Sequence, residues 1–373
     1  MGSGRALFMA RALRLARRAE GRTAPNPPVG AVVVRDGKVV GQGFHRAAGQ
    51  DHAEVEALSQ AGGQAKGAEL YVTLEPCNHQ GRTPPCTDLI LRSGLKKVHI
   101  GAMDPNPGVA GGGARKLERA GLTVLPGLLE DRCQELIAPF AKHVSSGLPL
   151  VSLKIAASLD GRTGTGPKVN QWLTGPKAKA WAHRLRNVSE AIMVGRSTVE
   201  VDDPALTTRL ARGRGQNPLR VVVDSRLRLP PTARVIQGPA QGGPAGGGCL
   251  ILTTEKAPKG RRKALEEAGA KVAVLPGREG RIDLAAALGY LGRLKVMHLL
   301  VEGGPTLAGS LVRAGLVDRI LFVLAPFLIG GDGAPGIIGG PELPGLDQAV
   351  ALKGIRTRRL GRDLLLTARL AKE

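Results

Sequence analysis

Residues 69–87 read ELYVTLEPCNHQGRTPPCT, a run that begins as a strand and ends on the first turn of a helix. Glu69 to Leu74 carries β-formers closed off by Pro76, and Thr87 to Arg92 has the spacing of a short helix. Cys77 stands at the strand's end and Cys86 immediately before the helix, with eight residues between them. Upstream, His52-Ala53-Glu54 opens another helix, His52 to Gln60. One imidazole and two thiolates suit zinc and leave the fourth tetrahedral position open. An open position is the mark of a catalytic metal, because water there becomes acidic near neutral pH and a carboxylate two residues after the histidine can carry protons to a leaving amine. Glu54 is the candidate for that carboxylate. Helix N-termini favour thiolate over thiol, which supports Cys86 as a ligand. If His79 were a fourth ligand the site would be closed and structural. His45, His99, His143, His183 and His298 have no partners at metal spacing and read as packed or surface histidines.

Working outward, Val29 to Arg35 and Lys38 to Gly43 flank Asp36-Gly37, a two-residue hairpin signal. After the zinc segment come a strand at Lys97 to Gly101, a helix at Ala114 to Ala120, a strand at Leu122 to Leu125 and a helix from Leu128 to His143. Helices packed on a mixed sheet are the expected result. Ser145, Ser146 and Gly147 mark a boundary, so the expected domains are residues 1–145 and 148–373. The second domain repeats the alternation, with strands expected at Val151 to Ala156, Ala191 to Val194, Leu219 to Val223, Leu250 to Leu252, Val272 to Leu275 and His298 to Val301. The Gly- and Pro-rich stretch from Gln237 to Gly248 reads as an exposed loop.

The chain has 373 residues, 42% hydrophobic and 23% charged, an ordinary globular balance that calls for more than one domain. No apolar run is long enough to span a bilayer. The basic stretch from Arg5 to Arg18 reads as an amphipathic helix built on Leu7, Phe8, Met9, Leu13 and Leu15 rather than as a targeting segment. Lys and Arg number 53 against 31 Asp and Glu, a net charge of +22. That excess suits nucleic acid, membranes or anionic substrates alike. Aromatics at 2% leave few stacking platforms, and the cations are scattered, which argues against nucleic acid and for a solvated basic surface. Four cysteines without a secretory signal suit a reduced, cytoplasmic protein.

Two further stretches bear on the second domain. Gly331-Asp332-Gly333-Ala334-Pro335-Gly336 matches the dinucleotide pattern G-x-G-x-x-G, but Ile337-Ile338-Gly339-Gly340-Pro341 cannot open the helix that pattern requires. Val301-Glu302-Gly303-Gly304-Pro305-Thr306-Leu307 instead ends a strand in glycines and starts a helix at Pro305, whose first free N–H groups suit a phosphate.

The segment Pro76 to Cys86, with its eight-residue spacing, resembles the zinc segment of the bifunctional riboflavin-biosynthesis deaminase/reductase family. Pro25-Asn26-Pro27-Pro28-Val29-Gly30 and Met103-Asp104-Pro105-Asn106-Pro107 are similar to the same family's deaminase motifs. Lys154, Ser158-Leu159-Asp160-Gly161-Arg162, Gln171-Trp172, Thr198, Asp202 to Thr207, Asp224-Ser225 and Glu302 to Pro305 resemble its reductase half. The resemblance implies an α/β chain in two parts, a cytidine-deaminase-like three-layer domain followed by a dihydrofolate-reductase-like domain. It implies hydrolysis of the 2-amino group of a diamino-pyrimidinone ribosylamine 5′-phosphate, then NADPH-dependent reduction of the ribosyl chain. Zinc would be held by His52, Cys77 and Cys86, with Glu54, Lys154 and Asp202 catalytic. NADPH would meet Ala157, Trp172, Thr198, Asp202, Ser225 and the turn Gly304, Pro305, Thr306, Leu307, Ala308, Gly309 and Ser310. Asn170, Arg186, Leu206, Arg209 and Glu302 would hold the substrate, although the family pattern has serine where this chain has Asn170. The expected partners are a small phosphorylated pyrimidine and further copies of the chain in a homo-oligomer, with no nucleic acid and no membrane. A nucleic-acid base deaminase shares the metal pattern but does not require the second domain.

Overall fold

A computed structural model describes residues 2–80, 84–107, 109, 111–166, 172–213, 215–239 and 247–371. Two compact units emerge, Met1–Gly147 and Leu148–Glu373.

The first unit runs α1 (Gly2–Ala16), β1 (Gly30–Arg35), β2 (Lys38–Phe44), α2 (Ala53–Ala61), β3 (Glu69–Leu74), α3 (Cys86–Arg92), β4 (Lys97–Ala102), α4 (Gly112–Arg119), β5 (Thr123–Leu125) and α5 (Glu130–Ser146). Its sheet has the order β2-β1-β3-β4-β5. The β1–β2 hairpin turns through Asp36 and Gly37, both with positive φ, the backbone of a type I′ turn. β1 is antiparallel to β3, and β3, β4 and β5 are parallel. Alternation along β1 sends Ala31 and Val33 to one face, against Ala57, Ala61 and Leu117, and Val32 and Val34 to the other, against Met9, Leu13 and Ile137. Helices therefore cover both faces, giving three layers. In α1 the buried stripe is Met9, Ala12, Leu13 and Ala16, whereas Leu7, expected on that stripe, is exposed. α1 lies so close to β1 that a Cβ on Gly30 would meet the Ala12 carbonyl oxygen at 2.1 Å. α5 ends at Gly147, left-handed at φ 71, whose N–H bonds the His143 carbonyl.

The second unit contains β6 (Leu150–Ser158), α6 (Pro176–Asn187), β7 (Ala191–Gly195), α7 (Arg196–Asp202), β8 (Leu219–Val223), α8 (Arg234–Gln237), β9 (Cys249–Thr253), α9 (Lys259–Glu267) and β10 (Ala270–Val274). The short pair β11 (Gly277–Arg278) and β12 (Arg281–Ile282) follows, then α10 (Leu284–Arg293), β13 (His298–Val301), α11 (Pro305–Arg313), β14 (Arg319–Ala325), β15 (Leu352–Leu360) and β16 (Asp363–Leu370). Nine strands form one sheet, β10-β9-β8-β7-β13-β6-β14-β16-β15, in the dihydrofolate-reductase-like manner expected. β10 through β14 are parallel along that order, and β16 and β15 return antiparallel. Its central strands are buried on both faces, so they read as continuous apolar runs. All six strands expected from sequence are present, and β14, β15 and β16 are additional. β15 is the outermost, exposed at every residue but Leu360.

Candidate active sites

In the first unit, the metal pattern becomes a cluster because two helices start at one end of the sheet. His52 is the N-cap of α2, Cys77 follows β3, and Cys86 is the first residue of α3, one residue earlier than its expected start at Thr87. His52 Nδ1 lies 3.2 Å from Cys86 Sγ and 3.5 Å from Cys77 Sγ. A tetrahedral zinc with bonds of 2.0–2.3 Å would separate such ligand atoms by about 3.5 Å, so the donor set fits the ion. Among the described residues this is the one group of three metal-ligating side chains, and His79 is exposed and outside it. Cys77 is held as thiolate, down at about 4, by the Cys86 side chain and by His52, and the Cys86 N–H also donates to its sulfur at 3.3 Å. Glu54, on the first turn of α2, is 3% exposed. Burial, followed by the negative Cys77, pushes its carboxyl up to about 7.

Sequence reading passed over two supports of this cluster. His45, expected to be bland, is buried beside His52, their rings edge to face at 5.3 Å. Its Nδ1 donates to the Asp51 carbonyl at 3.0 Å, so its Nε2 accepts from Asn26 Nδ2 at 3.0 Å. Glu75, next to Pro76 and Cys77, is buried and accepts N–H groups from Asp104 at 3.1 Å, Gly111 at 3.0 Å and Ala114 at 2.9 Å. That carboxylate fastens the segment after β4 beside the metal ligands. An acid set directly between a buried strand and Pro76-Cys77 was the available signal.

In the second unit, Glu302 follows β13 and accepts both arms of Arg186 from α6, at 2.9 and 2.8 Å. Lys154 Nζ, from the adjacent β6, is 3.9 Å from the same carboxylate. Burial alone would raise Glu302, but Arg186 and then Lys154 outweigh it and hold the acid at about 2. A third arm of Arg186 reaches the Thr207 carbonyl, and the Arg209 N–H bonds His183 Nδ1 at 3.3 Å, so the 206–209 segment is tied to α6. Leu206 has positive φ and a side chain buried in the core, while Arg209 is exposed. Gly304 caps α11, and its N–H is taken by Thr198 Oγ1 at 3.0 Å. With Pro305 lacking a donor, the N–H groups of Thr306 and Leu307 remain for a ligand. Ala308 and Gly309 face inward, and a Cβ on Gly309 would lie 1.7 Å from the Gly339 oxygen, so that glycine serves packing. Ser310 Oγ bonds back to the Thr306 carbonyl. Ala157 is buried in β6, Trp172 is 72% exposed with Lys179 over its ring, and Ser225 Oγ accepts the Ile282 N–H. Asp202 ends α7, exposed, and among the described residues nothing ties it to the Lys154–Glu302–Arg186 group. Asn170 and Gln171 lie outside the described residues, as do Gly81, Arg82 and Thr83 of the zinc segment.

An open His-Cys-Cys site with a buried acid, followed by a separate α/β unit with a phosphate-ready helix, defines a zinc deaminase joined to a reductase. Comparison with known families agrees. Residues 3–102 match the cytidine and deoxycytidylate deaminase zinc-binding region, and residues 149–366 match the RibD C-terminal domain. The riboflavin biosynthesis protein RibD of Escherichia coli strain K12 is 40% identical over 370 residues, covering 96% of this chain and 97% of that protein. Acinetobacter baumannii RibD superposes with TM-score 0.86 at 35% identity, over 100% of both chains. A diaminohydroxyphosphoribosylaminopyrimidine deaminase/5-amino-6-(5-phosphoribosylamino)uracil reductase from Thermotoga maritima gives 0.82 at 32% identity over 99% of both. The chain belongs to the RibD family, bifunctional deaminase/reductases of riboflavin biosynthesis.

Proposed function

We propose that the first unit deaminates the diaminohydroxyphosphoribosylaminopyrimidine, and that the second reduces the product, 5-amino-6-(5-phosphoribosylamino)uracil, to its ribitylamino form with NADPH. In this reading residues 1–145 are the deaminase domain and residues 148–373 the reductase domain. The observation that carries it is the pairing, in one chain, of the His52–Cys77–Cys86 cluster with the Lys154–Glu302–Arg186 group.

Bound zinc supplies a Lewis acid that makes water nucleophilic near neutral pH. Glu54 takes the proton from the attacking water as its oxygen bonds to C2, then returns it to the departing nitrogen as the C–N bond breaks and ammonia leaves. The Cys86 N–H and the His45 bond to Asp51 hold the ligand-bearing segments in register. Bound NADPH supplies the hydride. In the second unit, hydride adds to C1 of the opened ribose in its imine form while a proton goes to the imine nitrogen, with Lys154 or Asp202 as donor. Supporting a role for Lys154 is its ammonium, 3.9 Å from the Glu302 carboxylate. Ala157, Trp172, Thr198, Ser225 and the Gly304 to Ser310 turn would line the cofactor. Asn170, Arg186, Arg209, Glu302 and the backbone of Leu206 would line the phosphorylated substrate.

We also place the protein in the cytoplasm as a homo-oligomer acting on small molecules only. Four free cysteines support a reducing location, and the described residues contain no helix long and apolar enough to cross a membrane. Exposed Leu328, Ile338, Leu343, Leu346 and Ile355 in the second unit support self-association. Incubating purified protein with the diamino substrate, with and without NADPH, tests the central reading by mass spectrometry. The deaminated mass should appear without NADPH and the reduced mass only with it. Reduction of the undeaminated substrate, or no ammonia at all, would overturn it.

A further inference from the structure

The run Gly331-Asp332-Gly333-Ala334-Pro335-Gly336, which opens no helix, lies in a segment that crosses the carboxyl edge of the nine-stranded sheet. β13, β6 and β14 are adjacent and parallel, so their carboxyl ends share that edge. Leaving β14, residues 327–340 first pass the turn after β6. The Leu159 N–H bonds the Phe327 carbonyl at 2.9 Å, and the Thr163 N–H bonds the Pro335 carbonyl at 2.8 Å. Arg162 pairs with Gly336 and donates from Nη1 to the Ala334 carbonyl at 2.9 Å. The segment then reaches α11, where the Gly339 N–H bonds the Pro305 carbonyl at 3.0 Å and Arg313 holds the Gly339 oxygen at 2.9 Å. It forms a strap across two strand spacings, about 10 Å, joining the end of β6 to the start of α11.

One carboxylate fastens this strap to the turn after β6. Asp160 is exposed, yet it accepts the Ile329 N–H at 3.1 Å, the Gly330 N–H at 2.7 Å and the Ser158 hydroxyl. The Ser158 hydroxyl and then the Gly330 N–H hold this acid down at about 2, so it stays charged near neutral pH. The backbone it grips is permissive, with Gly330 and Gly331 both left-handed at φ 66 and 78. The other end of the strap is seated by shape instead, its Gly339 oxygen closing on Gly309.

We propose that Asp160 is a positioning residue for the reduction: by clasping the strap to the turn after β6, it fixes the end of β6, with Ala157, relative to the α11 turn and so aligns hydride donor and acceptor. The proposal rests on reading the second unit as a dinucleotide-dependent reductase whose cofactor meets both Ala157 and the Gly304 to Ser310 turn. Asp160 acts through the backbone of Ile329 and Gly330. Without it the Gly339 end stays seated and still binds, while the β6 end loses its register, so alignment suffers more than affinity.

The experiment compares the full-length protein with Asp160→Ala, Asp160→Asn and Asp332→Ala, the last an exposed control on the same strap, using deaminated substrate and NADPH. Asp160→Ala should lower kcat at least about tenfold, with the KM for NADPH and for substrate within about threefold of the parent. In single-turnover NADPH oxidation the loss should lie in the rate constant, whereas a smaller folded fraction would lower only the amplitude. Asp160→Asn, which keeps one acceptor oxygen of two, should fall between the parent and Asp160→Ala, and Asp332→Ala should match the parent. Amide hydrogen exchange across residues 327–334 should quicken at least about tenfold in Asp160→Ala and stay parental in Asp332→Ala. Parental single-turnover rates in both Asp160 variants, a loss confined to KM or to amplitude, or an equal loss in Asp332→Ala would overturn the assignment while leaving the reductase reading intact. If Asp160→Ala does not fold, Asp160→Asn decides by the same rate constant. If the parent itself oxidises no NADPH with deaminated substrate, the reductase reading falls and the proposal with it.

Discussion

Glu54 and Glu302 are both withdrawn from solvent, yet they are charged differently because their neighbours differ. Glu54 sits beside a thiolate and rises to about 7, whereas Glu302 sits between two cations and stays near 2. The first can exchange a proton near neutrality, while the second is a fixed negative charge. Glu54→Gln is therefore expected to keep zinc and fold but to release ammonia at least about 100-fold more slowly. Near-parental ammonia release from that variant would remove Glu54 from the mechanism. A third acid, Glu190, is buried just before β7 and accepts the His298 N–H, and burial pushes it up to about 7. Between pH 4.5 and 7 the folded protein holds this proton and the unfolded chain does not, so stability falls as pH rises through that window, by about 3 kcal/mol in total. Glu190→Gln, which cannot ionise, should flatten that part of the profile. Thermal midpoints of parent and variant from pH 4.5 to 7.5 measure it, and parallel profiles would refute it.

Among the elements, α11 shows how tightly a binding turn can be held. Gly339 donates to the Pro305 carbonyl, and its own oxygen closes on Gly309. Gly309→Ala must move the helix start, so it should cost at least about 1–3 kcal/mol and raise the NADPH KM by displacing the N–H groups of Thr306 and Leu307. Gly289→Ala in α10, with only Arg293 Nη1 near at 3.8 Å, is the control that should leave both alone or stabilise slightly. Short apolar runs with a turn residue or proline beside them were legible in the sequence: the Asp36-Gly37 hairpin, β3, β8 and β13 fall within a residue of expectation. β15 was not, because a strand exposed on both faces has no apolar alternation to read, and β16 takes its register from pairing with β14 on one side and β15 on the other. The metal ligands were legible because Cys and His are few in this chain. Glu75 and His45 were not, since their roles arise from partners that only the fold brings together, 29 to 39 residues distant for Glu75 and 6 to 19 for His45.

For the whole molecule, ligand sets confined to separate compact units imply separable activities. Removing zinc with a chelator should abolish ammonia release yet leave NADPH oxidation with deaminated substrate within about twofold, because hydride transfer draws on no metal. Parallel loss of both activities, with the circular dichroism of the second unit preserved, would contradict that independence. The same outermost strand that escaped sequence reading also bears on handling the protein. A nine-residue strand with one free edge offers a template for stacking against other molecules without limit. Lys353, Arg356, Arg358 and Arg359 crowd that edge with like charge, so two such strands repel before they can pair. Replacing Arg356 and Arg358 by Thr should shorten the lag before light scattering rises on mild heating, and added salt should do the same to the parent. Four cations on one exposed ribbon thus set the margin between a dispersed enzyme and a fibre-forming one.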